Sequence, residues 1–133
     1  MISSYTDLIQ VVETQAEPQR LLFVFCRAEL PEDASAAEKA SFEKGEGGAL
    51  TPVVCVDKAP EEVADFQSLV AESRQTGQPW DMVFVAAMSG RGGIAPSSDE
   101  AQQPLTMMVE SIRLGHLGNY LPLGQDGHAI SLN

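Results

Sequence analysis

Three stretches of the chain, Leu21–Cys26, Val53–Val56 and Met82–Ala87, are continuous in apolar residues, as expected of strands buried on both faces. They predict strands over Arg20–Cys26, Pro52–Val56 and Met82–Ala87. Elsewhere apolar side chains recur at helical spacing. Leu8, Val11 and Val12 follow Ser4, whose spacing to Asp7 resembles a capping arrangement, and they predict a first helix that Pro18 stops. Val63, Phe66, Leu69 and Val70 form a second stripe. Pro60 suits its first helical position, Glu61 and Glu62 oppose the dipole, and Gly77 and Pro79 end it. In a third helix Leu105, Met108, Val109 and Ile112 repeat at i, i+3, i+4 and i+7 ahead of a Gly115 cap. Pro104 leaves two beginnings open: a helix that starts near Ser97 and kinks there, or a turn before a helix whose first residue is Pro104.

Between Glu29 and Gly48 the composition shifts to Ala, Glu, Ser and Gly, with Ser35-x-x-Glu38 as a capping box and Phe42 as the large apolar side chain. This predicts a peripheral helix over Ser35–Lys44 and a mobile Gly45–Gly48 tether. Near the end, Asp126-Gly127 is a hairpin signal joining Tyr120–Leu123 to His128–Leu132, and Pro122 confines its strand to an edge or a bulge. Strand, helix and strand from Pro52 to Ala87 read as a right-handed crossover between parallel neighbours. The expected fold is therefore α/β: one domain over residues 1–133, with a mixed, mainly parallel sheet of about five strands flanked by helices in three layers, and a C-terminal β-hairpin at one edge.

A chain of 133 residues, 44% of them hydrophobic and 20% charged, can bury a core without disulfide or metal staples. Its 19 acidic against 8 basic residues give a formal charge of -11, which repels phosphate backbones and anionic lipid surfaces. Nucleic acid and membrane are thus not expected partners. Met1–Tyr5 shows no basic, apolar leader pattern, and Cys26 and Cys55 both lie in apolar runs, as reduced core thiols do. A cytoplasmic location is expected.

Candidate chemistry concentrates in Ser89-Gly90-Arg91-Gly92-Gly93, directly after a strand and shortly before a helix. Backbone amides of a glycine-rich turn can face an anion, and Arg91 would add a bidentate clamp for phosphate or carboxylate. The same residues also suit a flexible connection with a solvated arginine. Neither the dinucleotide fingerprint nor the phosphate loop of nucleoside triphosphatases is present. Ser89 lacks the Gly-x-Ser-x-Gly elbow of a hydrolase nucleophile. No metal site is expected from His116 and His128, and no Cys-x-x-Cys marks a redox pair. Glu32-Asp33, Glu61-Glu62 and Asp99-Glu100 sit at expected helix starts, where they cap. No cofactor is indicated.

Four of these stretches, Pro18–Phe25, Gly47–Val53, Glu72–Gly77 and Val85–Gly93, resemble a family of small bacterial proteins of unassigned function that sometimes carry the label "ribonucleotide reductase subunit alpha". The resemblance implies a bacterial cytosolic origin and no reaction. The label does not fit the chain, because a reductase large subunit needs a substrate barrel, a radical-bearing cysteine and a separate redox cysteine pair, whereas this sequence holds two cysteines.

No nucleophile, base and orienting group assemble in the sequence, so a non-enzymatic interaction or regulatory module with a protein partner is the leading expectation. The alternative is a protein, or small enzyme, binding a small anionic ligand at Ser89–Gly93. The tail hairpin, as an open edge, would allow a homodimer.

Overall fold

A computed structural model describes residues 2–29, 35–43, 49–63 and 65–130. The elements follow in the order α1 (Tyr5–Glu13), β1 (Gln19–Glu29), α2 (Ala36–Glu43), β2 (Ala49–Lys58), a 3-10 helical turn (Pro60–Val63), α3 (Phe66–Arg74), β3 (Met82–Ser89), α4 (Ser98–Arg113) and β4 (Leu121–Gly124).

All three long apolar runs are strands, but the sheet is antiparallel and four-stranded, in the order β2-β1-β3-β4. This overturns the expected mainly parallel, five-stranded sheet. β1 inserts between β2 and β3, pairing Phe23 with Val56 on one side and with Val85 on the other. β2 and β3 consequently run in the same direction without touching, and the crossover through α3 spans a strand. The apolar runs are continuous because helices cover both faces of the sheet, and a covered antiparallel strand carries the same sequence pattern as a parallel one. The expected fifth strand is reduced to isolated pairings of His128 with Ser4 and of Ala129 with Leu123. Residues 131 and 132, the rest of that segment, lie outside the described residues.

The three-layer packing is present. On one face Leu21, Phe23 and Phe25 of β1 meet Tyr5, Leu8 and Val12 of α1, Leu69 of α3 and Trp80. On the other, Leu22, Val24 and Cys26 meet Ala101, Leu105, Met108 and Ile112 of α4. Side chains alternate along β1 with period two and leave a full layer of core on either side.

The helix boundaries follow local capping chemistry. Ser4 caps α1 by accepting the Asp7 N–H at 3.2 Å. Val11, expected in the core, is 42% exposed, because the buried side of α1 is set by Tyr5, Leu8 and Val12. α2 begins directly after Ser35, whose carbonyl accepts the Lys39 N–H. The side chains of Glu38 and Phe42, and the Gly45–Gly48 tether, lie outside the described residues. Instead of one helix from Pro60, the chain makes a single 3-10 turn and restarts at Phe66, where Asp65 caps by accepting the Ser68 N–H at 2.8 Å. α4 begins after Ser97 with a reciprocal capping box to Glu100 and runs through Pro104, which decides between the two beginnings. It ends where the Gly115 N–H bonds to Ile112 and the His116 N–H to Ser111, a Schellman arrangement. Among the described residues no helix is long and apolar enough to cross a membrane.

Candidate functional site

The glycine-rich segment after β3 folds into a tight turn. Arg91 and Ile94 exchange both backbone hydrogen bonds at 3.0 Å, and Gly92 and Gly93 between them have φ of +58° and +80°. Positive φ at both central residues is the type I′ requirement, which glycine meets at little steric cost. Gly90 is needed for another reason: a Cβ there would stand 2.0 Å from the Ile94 carbonyl oxygen, so only a bare Cα lets the two chain segments approach.

The turn is held by residues that precede β1. Gly90 donates its N–H to the Pro18 carbonyl at 2.8 Å, and Ser89 Oγ accepts from the buried Gln19 side-chain amide at 2.9 Å. Gly93 donates its N–H to the Glu17 carboxylate at 3.0 Å. A carboxylate does sit on an amide of this turn, then, but it is the chain's own. Arg91 is exposed, and its charge helps, after the Ser97 hydrogen bonds, to hold the Glu100 carboxyl below the usual carboxylate range. Ser89–Gly93 are thus brought together at the rim of the sheet, with the Arg91 charge near enough to the start of α4 to act on Glu100.

A polar pair that the sequence did not announce lies between sheet and α4. Arg20 on β1 and Asp57 on β2 form an ion pair at 2.5 Å, with side chains only 16% and 10% exposed. Burial opposes charge on Asp57, yet hydrogen bonds from Arg20 and Ser98 together with the Arg20 charge hold its carboxyl below the usual range. Register was the missing information: Leu22 pairs with Asp57, which sets Arg20 diagonally across from that carboxylate.

The remaining candidates separate in space. Cys26 is buried on β1, where desolvation pushes its thiol up to about 12, whereas Cys55 on β2 is exposed, contrary to the expectation of two core thiols. β2 is a border strand, so its apolar run does not imply burial. His116 closes α4 and His128 lies in the tail hairpin. Glu61 and Glu62 occupy the first turn of the 3-10 segment, Asp99 and Glu100 that of α4, and Glu32-Asp33 lie outside the described residues. Among the described residues no group of three or more His, Cys, Asp or Glu could hold a metal ion.

The two borders of the sheet differ. At β4, Gly124 donates to the His128 carbonyl at 2.9 Å and Ile130 to the Pro122 carbonyl at 3.1 Å, while Ala129 donates to Ser3 at 2.8 Å, so the return arm and the N-terminal segment occupy the tail edge. At β2 no described strand pairs with the outer side. Each residue from Leu50 to Lys58 is partly or fully exposed. Register slips between Phe25 and Cys26, which makes Val53 the extra residue of a bulge beside Pro52 and leaves Val54–Lys58 as a regular stretch. A small cavity of about 60 Å³, lined by Phe25, Val54, Val56 and Leu69 with Glu72, Ser73 and Thr76 of the α3 side, opens between this stretch and α3.

No family model, curated protein or solved structure matches the chain.

Proposed function

We propose that the chain is a non-enzymatic interaction module that takes an extended segment of a partner protein along the outer edge of β2. The observation that carries this reading is the regular stretch Val54–Lys58 at the border of the sheet, partly exposed throughout, whose first three residues are apolar and whose last two, Asp57 and Lys58, are already held in ion pairs with Arg20 and Glu72. An added strand gains affinity from backbone hydrogen bonds and specificity from pockets that receive alternate side chains. The cavity beside Val54 and Val56 is such a pocket and suits one small apolar side chain. Pro52 and the bulge at Val53 fit the same reading, since they limit pairing to the stretch that follows and oppose indiscriminate edge-to-edge association.

Selection from a displayed library of extended peptides tests this directly. Binders should carry alternating apolar residues and should lose affinity to the Cys55→Lys variant, whose charge sits on the edge. Binders that ignore this substitution and map to other surfaces contradict the reading.

The anionic-ligand alternative draws on one observation, the carboxylate of Glu17 on the Gly93 amide. A ligand there would have to displace a tethered competitor. Thermal shift with phosphorylated metabolites on the Arg91→Ala and Glu17→Ala variants tests it: the first should abolish a shift and the second enlarge it.

A further inference from the structure

On the flank of α3 away from β2, Phe66, Val70 and Arg74 face the tail turn Gln125–Asp126 across an open cleft of about 520 Å³, with Ala71 beside them. These helix positions are spaced by four residues and so form a single stripe. The opposite wall is fixed. Gly127 packs so closely that a Cβ there would stand 3.1 Å from the Phe66 ring, and its carbonyl accepts the Tyr5 N–H at 2.8 Å. Gln125 donates its side-chain amide to the Trp80 carbonyl, and Asp126 Oδ1 accepts the His128 N–H at 3.0 Å.

The charges along the cleft are not used up by the fold. Arg74 forms no ion pair with any described residue, and Oδ2 of Asp126 has no hydrogen-bond partner among them. A guanidinium and a carboxylate, both exposed to solvent, thus border one cleft whose apolar part is Phe66, Val70 and Ala71 and whose polar part includes Gln67, without pairing with each other. The net charge of -11 disfavours a bare anion, and a bare cation would leave Arg74 unanswered. A neutral zwitterion satisfies both groups.

We infer that this cleft binds a free α-amino acid with an aromatic or branched apolar side chain. The carboxylate lies on Arg74, the ammonium on Asp126, and the side chain against Phe66, Val70 and Ala71. The volume falls within the roughly 300–1,000 Å³ usual for small-molecule sites. This inference does not rest on the β2 edge, which lies on the other flank of α3.

Titration of the isotope-labelled full chain with L-phenylalanine, followed by amide NMR shifts, tests it. Saturable shifts should appear in Phe66–Arg74 and Gln125–Gly127. Arg74→Gln and Asp126→Asn should each weaken binding by about tenfold or more, and the second substitution retains a side-chain oxygen to accept the His128 N–H. Phenylalanine amide and 3-phenylpropionate, each lacking one charge, should lose affinity likewise. No saturable shift at these amides, or binding indifferent to both substitutions and both analogues, overturns the proposal. Circular dichroism of the variants separates lost binding from lost fold.

Discussion

Glu17 and Gly93 are joined by a 3.0 Å hydrogen bond from a turn amide to a carboxylate, across 76 positions of sequence. This bond ties the segment after α1 to the turn after β3 and fixes the orientation of the Arg91–Ile94 hairpin. Because the pair is exposed, Glu17→Ala, which removes the acceptor, should cost less than about 1 kcal/mol of global stability. Hydrogen exchange at Gly93 should nevertheless accelerate by more than at the β3 amides. Unchanged exchange there would show that the contact does not hold the turn.

Gly90, Gly92 and Gly93 stand in one turn for different reasons, and alanine substitution separates them. At Gly92 or Gly93 an alanine meets positive φ in open space, a strain of about 1 kcal/mol. At Gly90 it meets the Ile94 carbonyl, so about 2–4 kcal/mol is expected. Urea denaturation should rank Gly90→Ala as the most destabilised of the three. Equal losses would contradict the close approach.

The Arg20–Asp57 pair predicts an acid-sensitive element. The folded state holds the Asp57 carboxyl below its unfolded value, so the stabilisation is complete above about pH 4 and is lost as pH falls through the lower folded value. Asp57→Asn should destabilise the protein by about 1–3 kcal/mol near neutrality and flatten the acid limb of stability against pH. An acid limb as steep as in the parent protein would remove Asp57 from this role.

Much of the local structure was legible in the sequence. Ser4 with Asp7, Gly115 and the three apolar runs each signal a local event, and each element formed where its signal lay. Asp65 and the Ser97-x-x-Glu100 spacing are readable caps as well: the first marks the start of α3, and the second favours, of the two beginnings open for α4, the one near Ser97. Strand direction was not legible, because it depends on which strand lies beside which, and a central strand covered on both faces reads alike in parallel and antiparallel sheets. The same limit hid the site. The Ser89–Gly93 turn was visible as a turn, whereas its engagement by Glu17, the exposure of Cys55 and the approach of Arg20 to Asp57 follow from pairings far apart in sequence.

The two thiols report on the two environments of the sheet. Cys26 is buried with its thiol pushed up to about 12, so it should stay unlabelled in the native protein. Cys55 should react quickly. One fast thiol in native buffer and two in denaturant is the expected count; fast labelling of Cys26 would contradict the covered, central position of β1, and slow labelling of Cys55 the border position of β2.

Amide hydrogen exchange on β2, with and without a selected peptide, bears most directly on the interaction reading. Free protein should exchange rapidly at those Val54–Lys58 amides that point away from β1, and bound peptide should protect them while leaving the Arg91–Ile94 turn unchanged. Protection at the turn, or no change along β2 when peptide is bound, would contradict it.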